Sequence, residues 1–260
     1  MIPAAVWSTR CLATLFLLGA FATTKGDDPF SVLTGFQQQL SRISSLRATV
    51  KRRQTYRDVR RDARGILLYD RTLGTRYEWK TPGHYLFLSS DSLLSGIDLN
   101  KRCGWKFIPP DNRLRRQIDP LGRFFRLQSI PPEEFAYRGN SDSLLFFTIA
   151  AEHKTFYTIG IEPGSLHCSI IERFGEKQVL LEKTVFTYKK GKEVATLPEA
   201  IIITGVYGKD LAVDTITIKS RQLNRQIGKK EFALPEEITW STGNTKGCSV
   251  QQQLHLPASR

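Results

Sequence analysis

The 260-residue chain carries 38 Lys and Arg against 25 Asp and Glu, a formal charge of +13, and 40% of its residues are hydrophobic. That apolar share is enough for a real core and excludes global disorder. No Gly-x-Ser-x-Gly elbow, His-Glu-x-x-His, P-loop or dinucleotide fingerprint occurs, and His84, His153, His167 and His255 share no metal-binding spacing, so a protein that is not an enzyme and holds no cofactor or metal is expected.

The N-terminus points to export. Arg10 is the only charge among the first 24 residues, Leu12 to Leu18 is a short apolar core, and Ala20-Phe21-Ala22 has the small-x-small pattern of a cleavage site. Together they predict a signal peptide over 1–22, cut after Ala22. The apolar run is too short for a membrane span, which needs about 20 residues.

Asp28 followed by Pro29 predicts a helix start. Phe36, Leu40, Ile43 and Leu46 then recur at helical spacing, with the helix ending near Ser44 or Ser45. Leu46, Ala48 and Val50 alternate as a strand. Residues 51–64 hold seven Lys or Arg against Asp58 and Asp62, and read as a hairpin tip or a basic loop leading into the next strand. An apolar strand from Ile66 to Tyr69 meets a turn at Arg71 to Gly74, and Arg76-Tyr77-Glu78-Trp79-Lys80 follows. Period-two alternation there gives one aromatic and one solvated face. Two such strands after an amphipathic helix suggest a curved antiparallel sheet with an apolar concave face.

Gly65, Arg71, Tyr77, Trp79 and Pro82 resemble the LolA/LolB lipoprotein-carrier family, whose signature is a Gly-led strand, a turn Arg, and an aromatic-x-Trp strand ending near Pro. The segment from Gly104-Trp105 to Arg115-Arg116 is similar to larger outer-membrane lipoprotein-sorting relatives. Asn224, Ile227, Phe232 and Pro235 resemble the family's ending. Thr72 stands where the family has Pro after the turn Arg. The resemblance implies a mainly β (α+β) fold: an incomplete, half β-barrel over 23–240, closed by an N-terminal lid helix. It also implies a periplasmic carrier that binds the acyl chains of lipoproteins or lipids and shuttles them toward the outer membrane. Lipid-binding cavity candidates are Leu67, Tyr69, Tyr77, Trp79 and Phe87. Lid candidates are Phe36, Leu40 and Ile43, and Arg71 is implied to hold the lid closed by hydrogen bonds. A permanent core from the same residues is the competing reading.

Further strands are predicted at Tyr85 to Ser89, Ser92 to Leu99 and Cys103 to Ile108, with 117–140 as loops and Ser141 to Ala151 as a short buried helix. The second half reads as a meander: Phe156 to Ile161, Leu166 to Arg173, Val179 to Glu182, Val185 to Tyr188, Ile201 to Val206 and Leu211 to Lys219. The apolar phase shifts between Leu211/Val213 and Ile216/Ile218, which suggests a bulge. Residues 241–260 read as a mobile tail.

Cys103 and Cys168 sit in strand-like contexts and are the expected disulfide among the three cysteines left after cleavage. The basic groups read either as a solvated outer face or as an attraction to anionic membrane through residues 51–64. No nucleic-acid motif appears, so nucleic acid is not an expected partner, and a monomer is expected. The alternative function is a binding or sensing module of the same fold that contacts a protein or an anionic surface without acyl transport.

Overall fold

The computed structural model describes residues 28–57, 59–90, 93–107, 119–150, 155–189, 197–207 and 210–241. The expected signal peptide, the Arg113 to Arg116 cluster, Cys248 and all but the first residue of the expected tail lie outside them.

Asp28 begins α1 (Pro29–Ser41): its carboxylate accepts from the Phe30 amide at 3.3 Å, and Pro29 fills a first-turn position that needs no N–H. The helix ends at Ser41, three residues before the expected end, so Ile43 lies beyond it while staying buried. The Leu46, Ala48, Val50 alternation continues as β1 (Ser45–Tyr56), which pairs residue by residue with β2 (Val59–Asp70) as far as Tyr56 opposite Val59. The basic stretch is therefore the outer half of a β1–β2 hairpin that leads into the Gly65 strand, and not a loop. Cross-strand and same-strand ion pairs, such as Arg53 and Arg60 with Asp62 at 3.0 and 3.1 Å, offset the repulsion between its arginines.

Next come β3 (Gly74–Thr81), β4 (Tyr85–Ser89), β5 (Leu94–Asp98) and β6 (Cys103–Phe107). The expected loops at 117–140 include a helix, α2 (Pro120–Arg126), and a strand, β7 (Phe135–Ser141). The expected helix at Ser141 to Ala151 is instead β8 (Leu144–Ala150). A short apolar run does not itself distinguish a buried helix from a strand, and pairing on both sides by β7 and β9 (Phe156–Glu162) decides it. Then follow β10 (His167–Phe174), β11 (Leu180–Thr187), β12 (Ala200–Tyr207), β13 (Asp210–Leu223) and β14 (Thr239–Ser241). The two strands expected between Val179 and Tyr188 are one, β11.

Among the described residues, all fourteen strands form one sheet, in the order β14-β6-β5-β4-β3-β2-β1-β13-β12-β11-β10-β9-β8-β7. Neighbours are antiparallel except the parallel pair β14 and β6. The sheet does not close, so the architecture is an incomplete barrel. The expected bulge in β13 is displaced toward its end: pairing with β12 runs unbroken from Thr217 to Asp210, and the extra residue falls where Lys219 and Ser220 stand opposite Thr49 of β1. Leu211 faces out at 56% exposure, while Asp214, Ile216 and Ile218 share the inner face.

Helices α1 and α2 lie against the inner face and form one core with it. The outer face of β2 to β4 is not solvated as expected. Leu68 and Leu88 pack there against Ile227 and Phe232 of the C-terminal segment, and the Arg76 side chain donates to the Glu231 carbonyl. Cys168 is a free, buried thiol, whereas Cys103 is disulfide-bonded, so the expected Cys103–Cys168 pair does not form. Burial pushes the Cys168 thiol up to about 12, which leaves it unreactive.

Gly65 sits where the β2–β3 register shifts, and a Cβ there would overlap the backbone carbonyl of Glu78. Gly65→Ala is expected to destabilise the fold by about 1 to 3 kcal/mol, read from the midpoint of denaturant unfolding. An unchanged midpoint would mean that β3 shifts freely at this point.

Candidate functional site

The floor of the concave face follows from strand alternation. Thr75, Tyr77 and Trp79 of β3 point inward, opposite Leu67 and Tyr69 of β2 and Phe87 of β4. All five expected cavity residues are buried in one cluster. Tyr77 and Trp79 stack with centroids 5.8 Å apart, and Tyr77 lies 6.2 Å from Phe87.

Two elements cover this floor. Val32, Leu33, Phe36 and Leu40 give α1 a buried stripe. The second cover, α2 and the turn after it, was not apparent in the sequence reading. It inserts Leu121, Phe124 and Phe125, with Tyr69 stacked on Phe125 at 3.8 Å and Phe36 edge-on to Phe124 at 6.2 Å. Its one sequence signal is Asp119-Pro120, the same Asp-Pro start as α1.

Few polar contacts tie the covers down. Arg71 donates through Nη2 to the Ser41 carbonyl and, at 3.1 Å, to the Ile43 carbonyl. Asn224 donates to the Arg42 carbonyl at 3.0 Å and accepts from the Ser44 amide at 2.9 Å. These side chains satisfy carbonyls that any helix leaves unpaired at its C-terminus, where a cation is also favoured. Gln37, which the sequence reading also missed, is buried and donates from Nε2 to the Leu127 and Ile130 carbonyls at 2.9 and 2.7 Å. It joins α1 to the segment after α2.

Two buried polar pairs fix α2. The Tyr77 hydroxyl donates to Asp119 Oδ1 at 3.0 Å. Burial raises the pKa of both groups, that of Tyr77 well above its ordinary value. Arg123, only 5% exposed, pairs with Glu182 of β11, and its guanidinium lies 5.4 Å from the Tyr157 ring. Burial alone would lower the Arg123 pKa, but the Glu182 carboxylate outweighs it and the net shift is upward.

Above the aromatic floor the inner face turns polar. Arg52 of β1 donates from Nε at 3.0 and 2.8 Å to the two Asp214 oxygens and also binds that carboxylate through Nη2. Gln54 reaches the same carboxylate at 3.3 Å, and the Arg52 guanidinium lies 5.7 Å from the Trp79 ring. A hollow of about 40 Å³ is lined there by Gln54, Arg61, Ala63, Trp79 and Tyr85. Another, of about 10 Å³, lies beneath Leu127 and Ile130. One water needs roughly 10 to 15 Å³, so these hollows suit waters and not an acyl chain.

No family model matches the chain, and no curated protein matches it. Solved structures do. A LolA superfamily protein from Nitrosomonas europaea superposes with a TM-score of 0.55 at 14% identity, over 78% of this chain and 97% of that one. A DUF1329 family protein from Desulfovibrio piger gives 0.59 at 7%, over 79% and 95%. A putative outer membrane lipoprotein-sorting protein domain from Vibrio parahaemolyticus gives 0.55 at 10%, over 79% and 97%. The chain therefore has the fold these proteins share, an open β-sheet half-barrel with helices on its concave side.

Asp119 gives a pH test. Its folded pKa is raised above the ordinary value of 3.8, so the native state holds a proton that the unfolded chain releases. Stability from this group is full below 3.8 and declines as pH rises toward the raised value. Asp119→Asn is expected to remove that decline, seen as a Tm difference between variant and wild type that grows with pH above 3.8. Parallel Tm curves would refute the assignment.

Proposed function

We propose that this protein is a periplasmic carrier that takes the acyl chains of lipoproteins or lipids onto the floor formed by Leu67, Tyr69, Tyr77, Trp79 and Phe87, and carries them toward the outer membrane. One observation carries this reading: the apolar floor is covered by short helical elements and not by a second sheet, and the first of them, α1, is held through a few side-chain-to-carbonyl bonds. The fold shared with a lipoprotein-sorting domain agrees with it.

The magnitudes permit exchange. Each large apolar side chain is worth about 1.5 to 3 kcal/mol on burial, so uncovering the four of α1 costs about 6 to 12 kcal/mol. An acyl chain of roughly 15 methylenes returns about 12 kcal/mol. Cargo and cover are then near balance, so cargo that displaces α1 is also released when α1 returns. In this reading Phe36, Leu40 and Ile43 are the displaced stripe, Arg71 favours the covered state, and Gln37 couples α1 to the segment after α2.

The filled floor favours a second reading, in which α1 is permanent core and the chain is a binding or sensing module that meets a protein or an anionic surface through its basic β1–β2 hairpin. Hydrogen exchange separates the two. A displaceable α1 exchanges faster than β12, and an added fatty-acid probe changes the protection of α1 while β12 stays constant. Uniformly slow exchange through α1, with no probe effect, would establish the core reading.

Arg71→Leu removes two bonds that favour the covered state. The variant is expected to load a fluorescent fatty acid and to transfer it to acceptor vesicles more slowly than wild type. Equal transfer by the two proteins would remove Arg71 from the mechanism. Trp79→Glu is expected to abolish probe binding, with a far-ultraviolet spectrum that verifies the variant is folded.

A further inference from the structure

We infer that the polar band above the aromatic floor is a headgroup site for a phosphate-bearing amphiphile, a proposal that rests on the carrier reading. Along the inner face of β1 the side chains run Leu46, Ala48 and Val50, all buried, and then change to Arg52 and Gln54. Neighbouring strands change at the same level. On β2, Leu67 gives way to Ala63 and Arg61, and on β13, Ile218 and Ile216 give way to Asp214. Three adjacent strands thus share one boundary between apolar and polar surface, as a bound amphiphile with one chain end and one polar end requires.

The chemistry of the band selects an anion. Asp62 is committed to Arg53 and Arg60, and Asp214 to Arg52 and Gln54. On the inner face Arg52 and Arg61 meet the Asp214 carboxylate, which leaves one positive charge over; Asp62, which also borders the hollow, is paired with Arg53 and Arg60 of the outer face. Arg52 spends Nε and Nη2 on Asp214, while its Nη1 edge donates to no described residue. Its guanidinium is held between that carboxylate and the Trp79 ring with its side chain only 13% exposed, so a phosphate meets a donor already oriented. Planar guanidinium groups suit phosphate oxygens in this way. Asp214 occupies the arginine when the site is empty and competes with the phosphate for it. Arg61 of β2 and Tyr85 of β4 both line the hollow.

The test compares three probes on the mature protein by titration calorimetry: monododecyl phosphate, the uncharged monododecanoyl glycerol, and inorganic phosphate. The phosphate amphiphile is expected to bind at least about tenfold more tightly than the neutral one, the scale of one charge-assisted contact. Inorganic phosphate alone is expected to bind far more weakly than either amphiphile. Arg52→Gln combined with Arg61→Gln is expected to abolish the preference. Asp214→Asn, which removes the competing carboxylate, is expected to enlarge it and keeps the test open if the double variant does not fold. Equal binding of the two amphiphiles by wild type overturns the headgroup site while leaving the carrier reading in place. Failure of both amphiphiles to bind overturns the carrier reading and the headgroup site together. Inorganic phosphate binding as tightly as monododecyl phosphate also overturns the inference, because the site would then serve a free anion.

Discussion

A sheet of fourteen strands that curves without closing leaves one concave apolar face, and that face cannot be left to water. The aromatic floor contains Tyr77, Trp79 and Phe87, each of which removes a large apolar area when covered. The rest of the structure answers this constraint. Helix α1 arrives from the N-terminal side with four apolar residues on one stripe, α2 arrives from the long connection between β6 and β7, and Gln37 joins them. Because the covers are short and local, removing them exposes side chains without breaking a strand pair. That asymmetry between a hydrogen-bonded sheet and a lightly latched α1 makes a binding role physically accessible to the fold.

The second cover shows how polar groups are used when they must be buried. Asp119 and Arg123 both precede the aromatic pair Phe124 and Phe125, and each finds a partner on a different part of the sheet: the Tyr77 hydroxyl of β3 and Glu182 of β11. A buried pair of this kind adds little net stability compared with apolar packing of the same volume, but breaking it is costly. Its consequence is placement, since α2 sits where these two partners coincide. The C-terminal segment plays the matching part on the convex side, where Ile227 and Phe232 cover Leu68 and Leu88.

Charge is also distributed by face. On β1, Lys51 and Arg53 point outward while Arg52 points inward to Asp214. Strand alternation alone separates them. A basic run that looks uniform in sequence therefore serves two surfaces of different character, a solvated exterior and the polar margin of the concave face.

Local patterns in the sequence were enough for the elements whose signals are local. The Asp28-Pro29 start of α1, the alternation of β1, the Tyr85–Ser89 strand and the aromatic face of β3 all come from periodicity and capping, which depend on neighbours a few residues apart. The floor residues Leu67, Tyr69, Tyr77, Trp79 and Phe87 were legible for the same reason. What tertiary structure decided depends on partners far along the chain. Residues 144–150 form a strand because β7 and β9 lie on either side. Gln37 latches two segments because Leu127 and Ile130, about ninety residues away, present their carbonyls to it. Asp214 faces inward because pairing with β12 continues without a bulge, so the alternation that buries Ile216 and Ile218 carries through to it. The sequence by itself determined which surfaces were apolar; only the pairing of distant strands decided which of them face one another.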